Sequence, residues 1–284
     1  MAISNFIGEV WSAQILEALR KTLVYGQSNV VNRNYEGEIK GKGSTVHINS
    51  HGPISIAPYD QSAGLSDPEQ LTDAGAELVI TEAQSFNFRI DDIDKSQMNV
   101  SLMESATRDA AYQLGDVADQ FLAALMEEDA GNTLDPVSLD LDEVLVRDLL
   151  IDIKTALDVA NAPKQGRWVI LPPWVTGFML KESLITHNVN WSGVEPAMKN
   201  GQVARLFGFD ILESNNVPVG QSDDYTVLAG VPQALTYAES INEVEAYRPD
   251  KFFADALRGL HVYGAEVVRP DCLASVVVSD GTGL

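Results

Sequence analysis

Between Asn5 and Tyr25 the apolar residues Trp11, Ile15, Leu19 and Leu23 recur every fourth position. That spacing lays one apolar stripe along a helix, and Gly26 is placed to end it. A single short amphipathic helix cannot bury its own stripe, so this one is expected to lie against something else. From Tyr35 to Ile90 the period shortens to two. Val46 and Ile48 alternate with Thr45, His47 and Asn49, and on the return Leu78, Ile80, Phe86, Phe88 and Ile90 alternate with polar partners. The pattern predicts a long two-stranded excursion. Its far part, His51 to Gly75, holds Pro53, Pro58 and Pro68 among Gly, Ser, Asp and Gln. An isolated hairpin of this length is marginal in water, so it too should rest on another molecule.

The helical period returns near Asp94. Met103, Ala106, Ala110, Leu114, Val117, Phe121 and Leu125 step by three or four down one face. The spacing predicts a helix from Asp94 to Asp129, roughly 50 Å long at the usual rise, stopped by Gly131-Asn132. After a turn at Asp135-Pro136, a second helix is predicted over Leu141 to Ala160. Arg167 to Leu171 reads as a strand, and Pro172-Pro173 opens a helix through about Leu184. A loop from Thr186 to Lys199 leads into Gly201–Pro218, read as an apolar strand kinked at Gly208 and a polar turn, Glu213 to Asn216, closed by Pro218. Tyr225 to Leu228 is a further strand. From Asn242 extended runs alternate with a short helix around Phe252 to Leu257 and finish over Val262 to Val278. The fold class is α+β.

Composition narrows what such a chain can do. It has 284 residues and 45% hydrophobic side chains, enough for a large core. Its 41 acidic residues against 19 basic ones give a net charge of −22, which excludes a conventional nucleic-acid-binding surface. The charge is uneven: residues 1–43 hold five basic and four acidic residues, and the acid excess lies in the rest. A neutral leading segment on an acidic body suggests an arm that lies on acidic neighbours. No apolar run approaches bilayer length and MAISNFIGEVW has no basic leader, so a protein neither inserted in a membrane nor exported is expected. Cys272 is the single cysteine, so the fold must hold without an intrachain disulfide.

Candidate chemistry is sparse. His47 and His51 sit at a strand end before Gly52-Pro53 with no third ligand nearby, and read as surface histidines rather than a zinc pair. Asp140, Asp142 and Glu143 lack the spacing of a calcium loop and suit an acidic helix start. Gly37, Gly41 and Gly43 do not make a phosphate cradle. Cys272 has no histidine partner and reads as a structural thiol. Trp168, Trp174 and Trp191 read as core and loop anchors. No catalytic constellation, metal site or cofactor site emerges.

The order of these elements carries a resemblance over nearly the whole chain. GEIKGKGSTVHI resembles the upward strand of an extended loop. FNFRIDDIDKSQMNVSLMESATRDAAYQLGDVADQFLAALM resembles the return strand running into a spine helix. RWVILPPWVTGFMLKE and GQVARLFGFDILESNNVP resemble the strand–helix step and hairpin of an axial domain, and GLHVYGAEVVRPDCLASVVV the closing strands of a peripheral domain. Together they are similar to the major capsid proteins of tailed phages, the Hong Kong 97 fold.

The resemblance implies an N-terminal arm (1–34), an extended loop (35–90), a peripheral domain with the spine helix (91–140 and 236–284) and an axial domain (141–235). It implies a structural subunit, not an enzyme, that assembles with itself as hexamers and pentamers into an icosahedral head around double-stranded DNA. Expected partners are a separate scaffolding protein, because no N-terminal segment is left over for that role, a portal, and a decoration protein. Assembly is expected in the host cytoplasm, and the mature location is the virion. Inter-subunit contacts are expected at Trp11, Ile15, Leu19 and Arg33 of the arm and at Ile54, Tyr59 and Leu65 of the loop. The alternatives are an encapsulin-type nanocompartment shell and a soluble α/β enzyme.

Some relatives weld their shells through a loop lysine and a neighbour's asparagine. Here no lysine occurs between Lys42 and Lys95, and Arg89 is the one basic side chain from Gly43 to Asp94. A guanidinium stays protonated and is a poor nucleophile. Denaturing electrophoresis of boiled mature particles should give a single band near 30.8 kDa; a ladder of linked oligomers would refute a non-covalent shell.

Overall fold

The structure is a computed structural model that describes residues 23–35, 43–48, 56, 75–91, 102–140, 145–181, 202–220, 224–251 and 253–281. The predicted arm helix up to residue 22, most of the loop's far part and the 186–199 loop lie outside these residues.

Six strands form the main sheet, in the order β4-β11-β8-β5-β7-β6. Its centre is β5 (Arg167–Leu171), buried at every position. β5 lies parallel to β7 (Phe209–Glu213) and antiparallel to β8 (Tyr225–Gly230). A run as apolar as RWVIL is what a strand covered on both faces requires. β11 (Leu273–Asp280) joins β8 to the edge strand β4 (Asn132–Leu139). The second sheet is antiparallel, β3-β10-β9, made of Glu82–Asp91, Ala254–Val267 and Leu235–Tyr247. A two-stranded ribbon, β1 (Thr45–Ile48) with β2 (Ala76–Val79), lies on that sheet.

Three helices cover the sheets: α1 (Leu102–Glu128), α2 (Val146–Val159) and α3 (Pro173–Lys181). α1 touches both β10 and β8 and so bridges the two sheets. α2 buries Val146, Leu149, Leu150, Ile153 and Leu157, and α3 buries Val175, Phe178 and Met179, all in one core with the six-stranded sheet. No described helix is long and apolar enough to cross a membrane.

Several sequence expectations are corrected. The hairpin expected within Gly201–Pro218 forms, but it turns at Gly208 rather than at Glu213 to Asn216: β6 (Gln202–Leu206) turns back on β7 through Phe207 and Gly208, at φ 51° and 92°. Two successive positive φ values make a two-residue turn whose twist suits the flanking strands. The supposed turn at Asp135-Pro136 lies inside β4, where both residues face Val277 across a bulge. Proline's missing N–H is tolerated there because β4 is an edge strand. Ala254 to Leu257, expected to be helical, pair in β10; their neighbours in two flanking strands override a weak local preference.

Phe86, Phe88 and Ile90 do not continue the loop hairpin. They pair with Gly259, Leu257 and Asp255 of β10, so the return strand belongs to the three-stranded sheet. The face of α1 is also rotated from the expected stripe. Thr107, Ala111, Leu114, Ala118, Asp119, Leu122 and Met126 are buried, whereas Val117 is 40% exposed. The six-stranded sheet draws β4 and β11 from 91–140 and 236–284 and its other strands from 141–235.

Gly264 marks where the ribbon crosses the three-stranded sheet. A Cβ there would sit 2.4 Å from the carbonyl oxygen of Val79 and 2.9 Å from the Cα of Ile80, and backbone on both sides leaves little room to yield. Gly264→Val should cost about 1–3 kcal/mol in denaturant unfolding of the subunit, with exchange protection lost first over 45–48 and 76–79. A neutral substitution would show that the ribbon is not seated there.

Candidate functional site: a buried polar anchor and the assembly surfaces

Residues 23–35 form no regular element, yet Leu23, Tyr25, Val30 and Val31 are fully buried in the main core. Two carboxylates hold the segment. Asp119, on the inward face of α1 and 2% exposed, accepts hydrogen bonds from the N–H groups of Val24 (3.0 Å), Tyr25 (3.0 Å) and Gly26 (3.4 Å). It thus satisfies donors that a segment without secondary structure would otherwise bury unpaired. Burial pushes its pKa up to about 7, against the lowering pull of those N–H groups and of Asn216. Burial also raises the Tyr25 phenol, with Asp119 and Glu127 adding to it.

The second carboxylate is Glu239 on β9, 5% exposed. The Arg33 guanidinium pairs with its Oε1. The Tyr237 hydroxyl donates to Oε2 at 2.7 Å, and His261 Nε2 stands 3.3 Å from the same oxygen. Arg33 also donates to the Gly26 carbonyl at 2.7 Å and lies 5.3 Å from the centre of the Tyr237 ring. Burial works to raise Glu239, but His261, Arg33 and Tyr237 outweigh it and hold the carboxyl at about 2, well below its ordinary value. Backbone bonds complete the docking: Asn32 N–H donates to the Leu235 carbonyl, and Tyr237 N–H to the Asn32 carbonyl, each at 2.9 Å.

Of the predicted contact residues, only Arg33 lies among the described ones, and its guanidinium is engaged within its own chain. Trp11, Ile15, Leu19, Ile54, Tyr59 and Leu65 lie outside them. His47 faces Glu77 across the ribbon at 3.3 Å, with both side chains well exposed. Cys272 is buried in a short 3-10 turn (Pro270–Cys272), its thiol pushed up chiefly by burial. Trp168 is core, and Trp174 sits against Phe178 and Tyr225 at ring distances of 5.5 and 5.8 Å. Among the described residues no group of three or more His, Cys, Asp or Glu could hold a metal ion. A cleft of about 160 Å³ beside Asp119 is lined by Asp116, Glu213, Ser214 and Asn216, and one of about 250 Å³ lies on the three-stranded sheet by Ser85, Arg258 and Leu260.

Sequence reasoning missed Asp119 and Glu239. Asp119 sits beside Ala118 and Leu122 on the buried face, and the signal for it was a carboxylate inside an apolar stripe, visible only once that stripe is correctly phased.

A mixed main sheet, a three-stranded sheet carrying a β-ribbon, and a 27-residue helix bridging them make a distinctive frame. The sequence profile of the phage capsid protein family matches residues 77–276, from β2 to the middle of β11. The chain belongs to the phage capsid protein family. A solved structure from Mycobacterium phage Che8 shares 31% identity with this capsid protein, covering 89% of this chain and 90% of that one, with a TM-score of 0.72. The capsid structure of the cyanophage P-SCSP1u shares 18% over 92% and 90% of the two chains, TM-score 0.67. A virus-like particle from Pyrococcus furiosus shares 13% over 95% and 99%, TM-score 0.56; these last two likenesses concern the fold. No curated protein matches the sequence. The capsid protein has the Hong Kong 97 fold and is a major capsid subunit, a structural protein of the virion that assembles with copies of itself. The family match favours this over the nanocompartment shell.

Asp119 gives the capsid protein a pH signature. Its pKa is raised in the folded state, so the native protein holds a proton that the unfolded chain has already lost between about pH 4 and 7. The stability it contributes is present below that window and declines as pH rises through it. Asp119→Asn leaves one N–H donor of residues 24–26 facing an amide NH₂, at about 1–3 kcal/mol. Wild type should exceed Asp119→Asn in unfolding free energy by more at pH 5 than at pH 8; a constant gap would show that Asp119 does not titrate in this window.

Proposed function

We propose that this capsid protein builds the icosahedral head of a tailed phage through non-covalent contacts alone, as a subunit without catalytic activity. The family match across 77–276 carries the reading. Heterologous contacts between identical subunits close into rings, and many modest contacts per subunit then give a strong shell. In this reading 141–235 form the axial domain near the ring axes, and 91–140 with 236–284 the peripheral domain between rings. The far part of the loop, between β1 and β2, and the arm reach neighbouring subunits, with Trp11, Ile15, Leu19, Ile54, Tyr59 and Leu65 at those contacts. Arg33 would act there indirectly, by fixing the root of the arm. A net charge of −22 fits a wall along which packaged DNA slides without binding. A separate scaffolding protein, a portal and a decoration protein complete the set of partners, with assembly in the host cytoplasm.

The anchor tells where the arm can be cut. Residues 23–35 bury Leu23, Tyr25, Val30 and Val31 in the subunit's own core, so the assembling part of the arm is 1–22. Deleting 1–22 should leave folded subunits that do not close into shells, whereas deleting 1–34 should prevent folding. Size-exclusion chromatography, negative-stain microscopy and circular dichroism read the two outcomes. Closed shells from the shorter deletion would overturn the role given to the arm.

A further inference from the structure

His261 stands at the anchor's second carboxylate, Glu239, without the close, aligned bonds that Arg33 and Tyr237 make to it. It is completely buried, and neither ring nitrogen has an aligned hydrogen-bond partner, although Nε2 lies 3.3 Å from Glu239. Glu239 already carries Arg33 on its other oxygen and the Tyr237 hydroxyl on the same one. One buried carboxylate thus has a permanent cation on one side and a conditional cation on the other. Histidine is the side chain whose ordinary titration falls between pH 5 and 8.

We propose that His261 is a proton-operated release for residues 23–35: once its imidazole is protonated it competes with Arg33 for Glu239 and loosens the segment's hold on β9. The argument is electrostatic. With a neutral imidazole, Glu239 and Arg33 neutralise each other inside the core. A second cation leaves the cluster one positive charge in excess in a poorly solvated place, and such a charge is costly. Glu239 and His261 are fixed on adjacent, paired strands. Arg33 stands on a segment without secondary structure, so it is the partner that can leave.

Apart from Glu239, the neighbours that the flanking strands bring to the ring are uncharged, and the Glu82 carboxylate lies by Tyr263 instead. β3 contributes Gln84, paired with His261 in register. From β10 itself Tyr263 stands 5.0 Å away ring to ring, and α1 offers Phe121 against Tyr263. The phenols of Tyr237 and Tyr263 are both pushed upward, chiefly by burial, and stay neutral. Asp119, at the far end of the segment, titrates near 7 and favours the closed form as pH falls, so a raw pH profile mixes two opposing effects.

The test therefore compares variants. The reporters are the amides of Asn32 and Tyr237, which bond the segment to β9, followed by hydrogen exchange in the purified full-length protein at pH 7.5 and 5.5, corrected for intrinsic rates. Wild type and His261→Gln should be equally protected at pH 7.5. At pH 5.5 wild type should be roughly tenfold less protected than the variant, within the usual range for coupled sites. An unchanged ratio at the two pH values overturns the proposal. If His261→Gln also loses protection in β8 and β11, the pair of wild type and Arg33→Gln decides instead. Without the guanidinium to repel, the variant's profile should be flatter than the wild type's, and an equally steep one refutes the release. These readouts concern one subunit, so they stand or fall separately from shell assembly.

Discussion

Two buried carboxylates, one on the long helix and one on a strand of the smaller sheet, fix how the start of the described chain meets the rest of the subunit. Asp119 gathers three backbone N–H groups and Glu239 gathers Arg33, so a stretch with no helix or strand of its own becomes part of the core. Neither contact is cheap. Burying a charge costs several kcal/mol unless hydrogen bonds and counter-charges replace its water, which is why each carboxylate has several partners. The return is geometric: apolar burial alone would let Leu23, Tyr25, Val30 and Val31 slide, whereas directed hydrogen bonds fix their register.

That register matters because of what the segment touches. α1 bridges both sheets, and its Phe121 meets Tyr263 of β10 at 5.4 Å. Asp119 therefore ties the segment to the helix, and Glu239 ties it to the strand beside β10. The anchor thus holds residues 23–35 against the helix and the smaller sheet at once. The ribbon is seated by a different device, close backbone approach at Gly264 over a small satellite core of Val46, Ile48, Leu78, Ile80, Ala238 and Val262.

The two carboxylates respond oppositely to burial because their surroundings differ. Asp119 is met by uncharged N–H groups, which do not fully replace water, and its proton affinity rises. Glu239 is met by a guanidinium, an imidazole and a phenol, and its proton affinity falls. Identical chemistry on two elements thus gives one group that titrates near neutrality and one that stays ionised, and only the partners account for the difference.

Local pattern was enough for the elements that local pattern controls. The β1–β2 ribbon, the α1 helix near its stop, α2, the buried strand RWVIL and the proline-led helix after it were legible because period, proline and glycine act over a few residues. Their order was enough to suggest the capsid fold, and the missing loop lysine is a property of sequence alone. What tertiary structure decided was partnership. β3 left the loop to join β10, Ala254–Leu257 became strand, and Asp135-Pro136 became a bulge, because a neighbouring strand offered hydrogen bonds that no short window can see. Asp119 and Glu239 stayed hidden for the same reason: their partners Val24, Tyr25, Gly26 and Arg33 lie on the order of a hundred residues or more away in the chain.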